Sequence, residues 1–182
     1  MLVAVDASGG DYAPYEIVKG AMKAVQEDGT EIALVGRRSV LHVLAGRHLR
    51  KPGLTLVDAS QTIEAHESPM KAIKSKPNSS IMVGINLVKE GKAASFVSAG
   101  NTGAVLGAAL FNLGKISGVE RPAICCIMDI TPSTPVLLID AGANIDCRPS
   151  HLVQFAQMGA IYCKHMLGVD SPQVGLLSNG GE

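Results

Sequence analysis

The sequence predicts an α/β fold: a mostly parallel sheet with helices on both faces and one antiparallel or sheet-switching element. Three observations carry this. Apolar runs of strand length alternate with segments of helical period along the chain. Apolar residues make up 47%, yet there are only three Phe, three Tyr and no Trp, so the core must be built from Val, Ile, Leu, Ala and Met, with 20 Gly permitting close backbone approach. Finally, one pair of predicted strands is joined only by residues 129–135, too short a link for a parallel crossover.

The elements follow in order. Residues 2–6 form the first strand. Residues 15–27 form a helix, with Ile17, Val18, Ala21 and Val25 on one face and Pro14 near its start. A second strand, 31–35, ends at Gly36. Ser39 caps a helix running to about Leu49, and 54–59 is a third strand. Residues 79–89 are helical, with Ile81, Ile85 and Val88 on one face, and Gly91 stops them. Next come a strand at 94–98 and a helix at 102–113 carrying Val105, Leu106, Ala109, Leu110 and Leu113. Strands 124–128 and 136–140, a long helix 150–167 closed by Gly168, and a last strand 173–177 complete the pattern. Lys51-Pro52-Gly53 and Lys76-Pro77-Asn78 read as turns, so the 182 residues fit one domain. The closing Ser178-Asn179-Gly180-Gly181-Glu182 reads as a Gly-rich turn with no helix after it, the pattern expected of a fragment.

Sixteen basic and sixteen acidic residues give no net charge, which argues against nucleic-acid binding. Cys125, Cys126, Cys147 and Cys163 form no C-x-x-C pair, so a reducing compartment is the simplest expectation. The amino terminus does not read as a signal peptide, and no apolar run reaches transmembrane length. The five histidines show no metal-ligand spacing, and His151 and His165 read as surface or partly buried residues.

Polar residues collect at the carboxyl ends of the predicted strands, where open α/β sheets bind ligands. Asp6, Gly9, Gly10 and Asp11 form the first cluster; Asp6 can cap the turn or orient a donor. His66-Glu67-Ser68-Pro69 is the second, able to transfer a proton or only to hydrogen-bond locally. Ser98-Ala99-Gly100-Asn101-Thr102-Gly103 is the third. Here a strand ends, glycines remove bulk and a helix begins, so open N–H groups and the positive helix end would face one spot and hold a phosphate-like anion. The spacing is neither that of a P-loop nor that of a dinucleotide fingerprint. Asp140, Asn144, Asp146 and Arg148 make the fourth cluster, with Ser150 as the helix cap. No nucleophile elbow and no zinc motif occur.

In this order the clusters resemble the bacterial phosphate acyltransferases of fatty acid and phospholipid synthesis. The matching stretches are Ala4-Val5-Asp6-Ala7-Ser8-Gly9-Gly10-Asp11, His66-Glu67-Ser68-Pro69, Ser98 to Ala104, Arg121-Pro122-Ala123, and Asp140-x-Gly142-Ala143-Asn144-x-Asp146-Cys147-x-Pro149, continuing into Gln154-Phe155-Ala156-x-Met158-Gly159. Ser8 stands where that family usually has Met. The resemblance implies a fold similar to the isocitrate and isopropylmalate dehydrogenases. It implies that 1–182 is the N-terminal portion of a single α/β domain whose C-terminal half is absent. It implies transfer of a fatty acyl group from acyl carrier protein to inorganic phosphate, in a cytoplasmic homodimer that associates peripherally with a membrane acyltransferase, with no cofactor and no metal.

In that reading, phosphate meets Ser98, Gly100, Asn101, Thr102 and Gly103. Asn144 is a second donor, His66 serves the leaving sulfur and Glu67 orients His66. Asp6, Gly9, Gly10, Asp140 and Asp146 organise the loops. No enzyme nucleophile is required, because phosphate is already an anion and a thiolate, with a pKa of roughly 8.5, is a fair leaving group. Arg37, Arg38, Arg47, Arg50 and Lys51, or Lys71, Lys74 and Lys76, form candidate docking patches for the acidic carrier, with solvated faces as the simpler reading. A coenzyme A-dependent acyltransferase and a non-catalytic anion-binding fragment remain as alternatives.

Overall fold

The computed structural model describes residues 1–131 and 134–178. They fall into two compact units, Met1–Gly114 and Lys115–Glu182.

The first unit is built on four parallel strands in the order β3-β2-β1-β4. These are β1 (Leu2–Asp6), β2 (Glu31–Gly36), β3 (Leu54–Asp58) and β4 (Ser95–Val97). The chain steps outward from β1 to β2 to β3, then returns to place β4 on the other side of β1. The order therefore reverses between β1 and β4, which makes their carboxyl ends a topological switch point.

Alternation of side chains assigns the two faces of this sheet. Ile32, Leu34 and Leu54 meet Val18 and Ala21 of α1 (Tyr15–Glu27) and Leu41 and Ala45 of α2 (Arg38–Ala45). The opposite parity, Ala4 and Val35 with Val57 and Phe96, meets Val83 and Leu87, which belong to a later helix, Ser80–Lys89. That helix is numbered α4, because a short α3 (Pro69–Ser75) precedes it. Ala72 and Ile73 of α3, Ile81 and Ile85 of α4, and Ala104 and Ala108 of α5 (Thr102–Asn112) form a further buried cluster. Small residues on α5 let it approach closely: a Cβ at Gly107 would stand 2.7 Å from the Ile73 side chain.

The second unit holds an antiparallel pair, β5 (Cys125–Thr131) and β6 (Thr134–Ile139), with α6 (Pro149–Met166) packed on β6. The short link thus joins an antiparallel pair, one of the two outcomes that its length allowed.

Several expectations change. Neither Ser39 nor Ser150 is an N-cap: α2 begins at Arg38 behind Arg37, and α6 begins at Pro149 behind Arg148. The helix expected to run to about Leu49 stops at Ala45, because Gly46 turns to φ 49° and the chain continues as a 3-10 turn. The short α3 is not marked by apolar period. Residues 173–177 form no strand: apolar alternation needs a partner edge, and none of the described strands pairs with them. The Gly-rich turn at 179–182 and part of the 129–135 link lie outside the described residues.

Candidate functional site

β1 and β4 are hydrogen-bonded neighbours, so the turns that leave their carboxyl ends meet. Asp6 is buried at the end of β1. Its carboxylate accepts the Ser98 hydroxyl at 2.7 Å and the Ser8 N–H at 3.0 Å. Ser98 Oγ in turn accepts the Gly100 N–H at 3.0 Å. One carboxylate therefore shapes both turns, as charge-assisted bonds do well. The backbones touch beside it: a Cβ on Gly9 would lie 2.8 Å from Gly100 N and Cα.

Asn101 is the N-cap of α5. Its Oδ1 accepts the Ala104 N–H at 3.0 Å, while Nδ2 donates to the carbonyls of Glu64, Ala65 and Glu67 at 3.1–3.3 Å. Ser98 and Asn101 thus act on the turn itself. Among the groups the turn leaves open in the described residues are the N–H groups of Thr102 and Gly103 in the exposed first turn of α5, and the Thr102 hydroxyl. A Cβ at Gly103 would stand 2.7 Å from Pro69 Cγ, so the His66–Pro69 cluster is packed against the same helix start. Three of the four clusters are brought together here.

His66 is exposed and its ring makes no hydrogen bond among the described residues. The expected pairing with Glu67 is not made. Glu67 Oε2 instead takes Lys76 Nζ at 2.5 Å and the Glu64 N–H at 2.7 Å, and Lys76 also donates to the Thr62 carbonyl. An ion pair with two further bonds outcompetes a single bond to the imidazole. The Lys76 ammonium, then the Glu64 N–H, hold the Glu67 carboxyl below its usual 4.5. A depressed folded-state value means that the latch stabilises the loop above pH 4.5 and is lost as the pH falls through the folded value. We expect Lys76→Met to move the Glu67 midpoint back up toward 4.5 in an NMR titration. An unmoved midpoint would remove Lys76 as the cause.

A cleft of about 530 Å³ opens beside the turn, with Ser8, Asp11, Arg37, Thr62, Glu64 and Gly100 on its walls. Arg37 entered the sequence reading only as part of a docking patch. It directly follows Gly36 at the end of β2, the same strand-end position as the other clusters, and that position was the signal available for finding it. Of the basic patches, the Arg38 guanidinium donates to the Leu56 carbonyl at 3.4 Å, while its backbone N–H donates to Asp58, and Lys76 is committed to Thr62 and Glu67.

The fourth cluster lies in the second unit. Asn144 Nδ2 donates to Asp140 Oδ1 and to the Pro122 carbonyl, both at 3.0 Å. Arg121 reaches Asn144 Oδ1 at 3.5 Å and the Asp146 carbonyl at 3.2 Å. Asp140 holds φ 66°, the left-handed conformation that a short polar side chain tolerates. His151 is buried, more fully than its reading as a surface or partly buried residue allowed. Its Nδ1 accepts the Arg148 N–H, so Nε2 carries the proton and donates to Glu120 at 3.0 Å. Burial, then the contact with Asp140, pushes the Cys147 thiol up. Cys147 should therefore be alkylated by iodoacetamide more slowly than the exposed Cys125, read by peptide mass spectrometry at mildly alkaline pH. Equal rates would refute the shielding.

A family model described as fatty acid synthesis protein matches residues 1–182. The chain belongs to this family. It is 55% identical over 182 residues to a phosphate acyltransferase of Dehalococcoides mccartyi, covering 100% of this chain and 52% of that protein. It is 48% identical to the phosphate acyltransferases of a Cyanothece species and of Pelotomaculum thermopropionicum, covering 53% of each. The chain spans about half the length of the curated relatives it matches.

The donor set left open at the switch point is neutral backbone plus one hydroxyl, with Arg37 the cationic side chain on the adjoining cleft wall. No group of three or more His, Cys, Asp and Glu suited to a metal ion occurs among the described residues. No helix among them is long and apolar enough to cross a membrane.

Proposed function

We propose that the chain carries the phosphate-binding side of an acyltransferase that moves a fatty acyl group from acyl carrier protein to inorganic phosphate, giving acyl phosphate. The observation that carries this reading is the open first turn of α5 at the β1/β4 switch point, where Thr102 and Gly103 present N–H groups and Asp6, Ser98 and Asn101 fix the turn. Membership of the family supports the acyl-transfer chemistry.

Phosphate is the nucleophile. Its oxygen attacks the thioester carbonyl, and the carbon–sulfur bond breaks as the thiolate leaves and takes a proton. The backbone donors and the Thr102 hydroxyl hold phosphate, with Ser98, Gly100 and Asn101 forming the wall of the same turn. Arg37 supplies positive charge beside it. His66 delivers the proton to the departing sulfur, and Glu67 keeps its loop in place through Lys76. Asn144, with Asp140 and Asp146, orders the loop between β6 and α6, to which Arg121 donates. Asp6 with Gly9 and Gly10 shapes the first turn. The same reading makes 1–182 the N-terminal portion of one α/β domain. It brings with it a homodimer, a cytoplasmic location and peripheral association with a membrane acyltransferase.

The test is thiol release and acyl phosphate formation from acyl carrier protein and inorganic phosphate, in this chain and in a full-length family protein. Release that depends on phosphate supports the reading. A preference for coenzyme A thioesters would replace the donor. Phosphate binding without turnover in both proteins would reduce the site to an anion-binding module.

A further inference from the structure

One side chain runs between the α5 turn and the loop that carries His66. Asn101 caps α5 through Oδ1 and sends Nδ2 to the Glu64, Ala65 and Glu67 carbonyls. Ala65 and Glu67 flank His66 on both sides, so the amide grips the backbone around the imidazole without bonding to the ring. Asn101 is buried, and His66 is exposed. Pro69, at the end of the loop, packs against Gly103. The far side of the loop is held separately by Lys76, through the Thr62 carbonyl and Glu67. All of the side-chain donors and the acceptor of Asn101 are therefore spent on joining two backbone segments.

We propose that Asn101 is a positioning residue: it locks the backbone of the His66 loop to the first turn of α5, so that an anion at Thr102 and Gly103 and the imidazole share one frame. The inference rests on the anion site proposed above. An anion there orders the turn that Asn101 caps, and the amide passes that order to residues 64–67.

Asn101→Ser separates the two duties, since serine keeps an N-cap acceptor and has no amide to grip the loop. Hydrogen exchange of the chain should show amides of residues 64–68 opening roughly tenfold faster, with α5 protection kept. Inorganic phosphate should shift the Thr102 and Gly103 amides in NMR spectra of both proteins but slow loop exchange only in the wild type. In the acyl-transfer assay the variant should lower kcat with little change in the phosphate KM.

Equal loop exchange in the two proteins would overturn the proposal. So would a raised phosphate KM with unchanged kcat, which would make Asn101 a ligand. If α5 loses protection, Asn101→Asp supplies a second capping acceptor without the amide; loss in both variants would show that Asn101 serves the helix alone, against the proposal. Absence of any phosphate shift in the wild type would sink the anion site and with it the coupling. Shifts present beside equal loop exchange would sink the positioning role alone.

Discussion

Gly9→Ala should abolish most phosphate-dependent acyl transfer, by at least ~10²-fold, while leaving the chain folded. The alanine methyl would fall 2.8 Å from both Gly100 N and Gly100 Cα and would also collide with the Asp6 carboxylate. Side chains can rotate away from such a clash, but backbone cannot. The β1 turn must retreat from the β4 turn, and the Asp6–Ser98–Gly100 chain of bonds that shapes the cradle opens with it. Phosphate titration of the Thr102 and Gly103 amides, with turnover in the full-length protein, reads this directly. Gly20→Ala is the control. It lies within α1 with nothing within 4 Å of the added methyl, so it should leave binding alone and stabilise by up to ~1 kcal/mol. Wild-type phosphate binding by Gly9→Ala would show that the close approach of the two turns is not what builds the site.

Gly84→Ala should destabilise the first unit despite its helical setting. Within a helix this change normally gains ~0.5–1 kcal/mol. Here the methyl would sit 2.5 Å from Phe96 Cδ2 and would also overlap Cε2. Phe96 lies on β4, paired with Ala4, so its ring is wedged between α4 and the sheet. Overpacking of this kind costs ~1–3 kcal/mol, which outweighs the helical gain. Urea unfolding should show a lower midpoint with an unchanged slope. Phe96→Leu in the same chain should recover part of the loss, a coupling that a double-mutant cycle isolates. An unchanged or raised midpoint for Gly84→Ala would mean that α4 stands farther from β4 than it does here.

Much of the local structure was legible in the residues. The α1 boundaries follow from Pro14 and the Ile17, Val18, Ala21, Val25 stripe, and the observed helix is Tyr15–Glu27. The strand–turn–helix at 98–103 followed from glycines placed between an apolar run and a helical pattern. Misses occurred where partners decide the outcome. α3 is too short to show a period, and what makes it helical is Ala72 and Ile73 entering a cluster with α4 and α5. Residues 173–177 have strand composition, but none of the described strands pairs with them.

The sequence alone determined the α/β class, the alternation of strands and helices, an antiparallel or sheet-switching step at the short link, and the strand-end clusters in which site residues could lie. Those follow from short-range rules: period, chain length between strands, and the need to cap a helix. Only the tertiary structure decided how the clusters are used. Strand order set β1 beside β4 and so brought Asp6 to Ser98 across 92 residues of sequence separation. Competition among nearby donors and acceptors did the rest. Glu67 chose Lys76 over His66, and Asn101 spent its amide on carbonyls. Such choices depend on which groups lie within hydrogen-bond reach of one another, and that distance is a property of the folded chain.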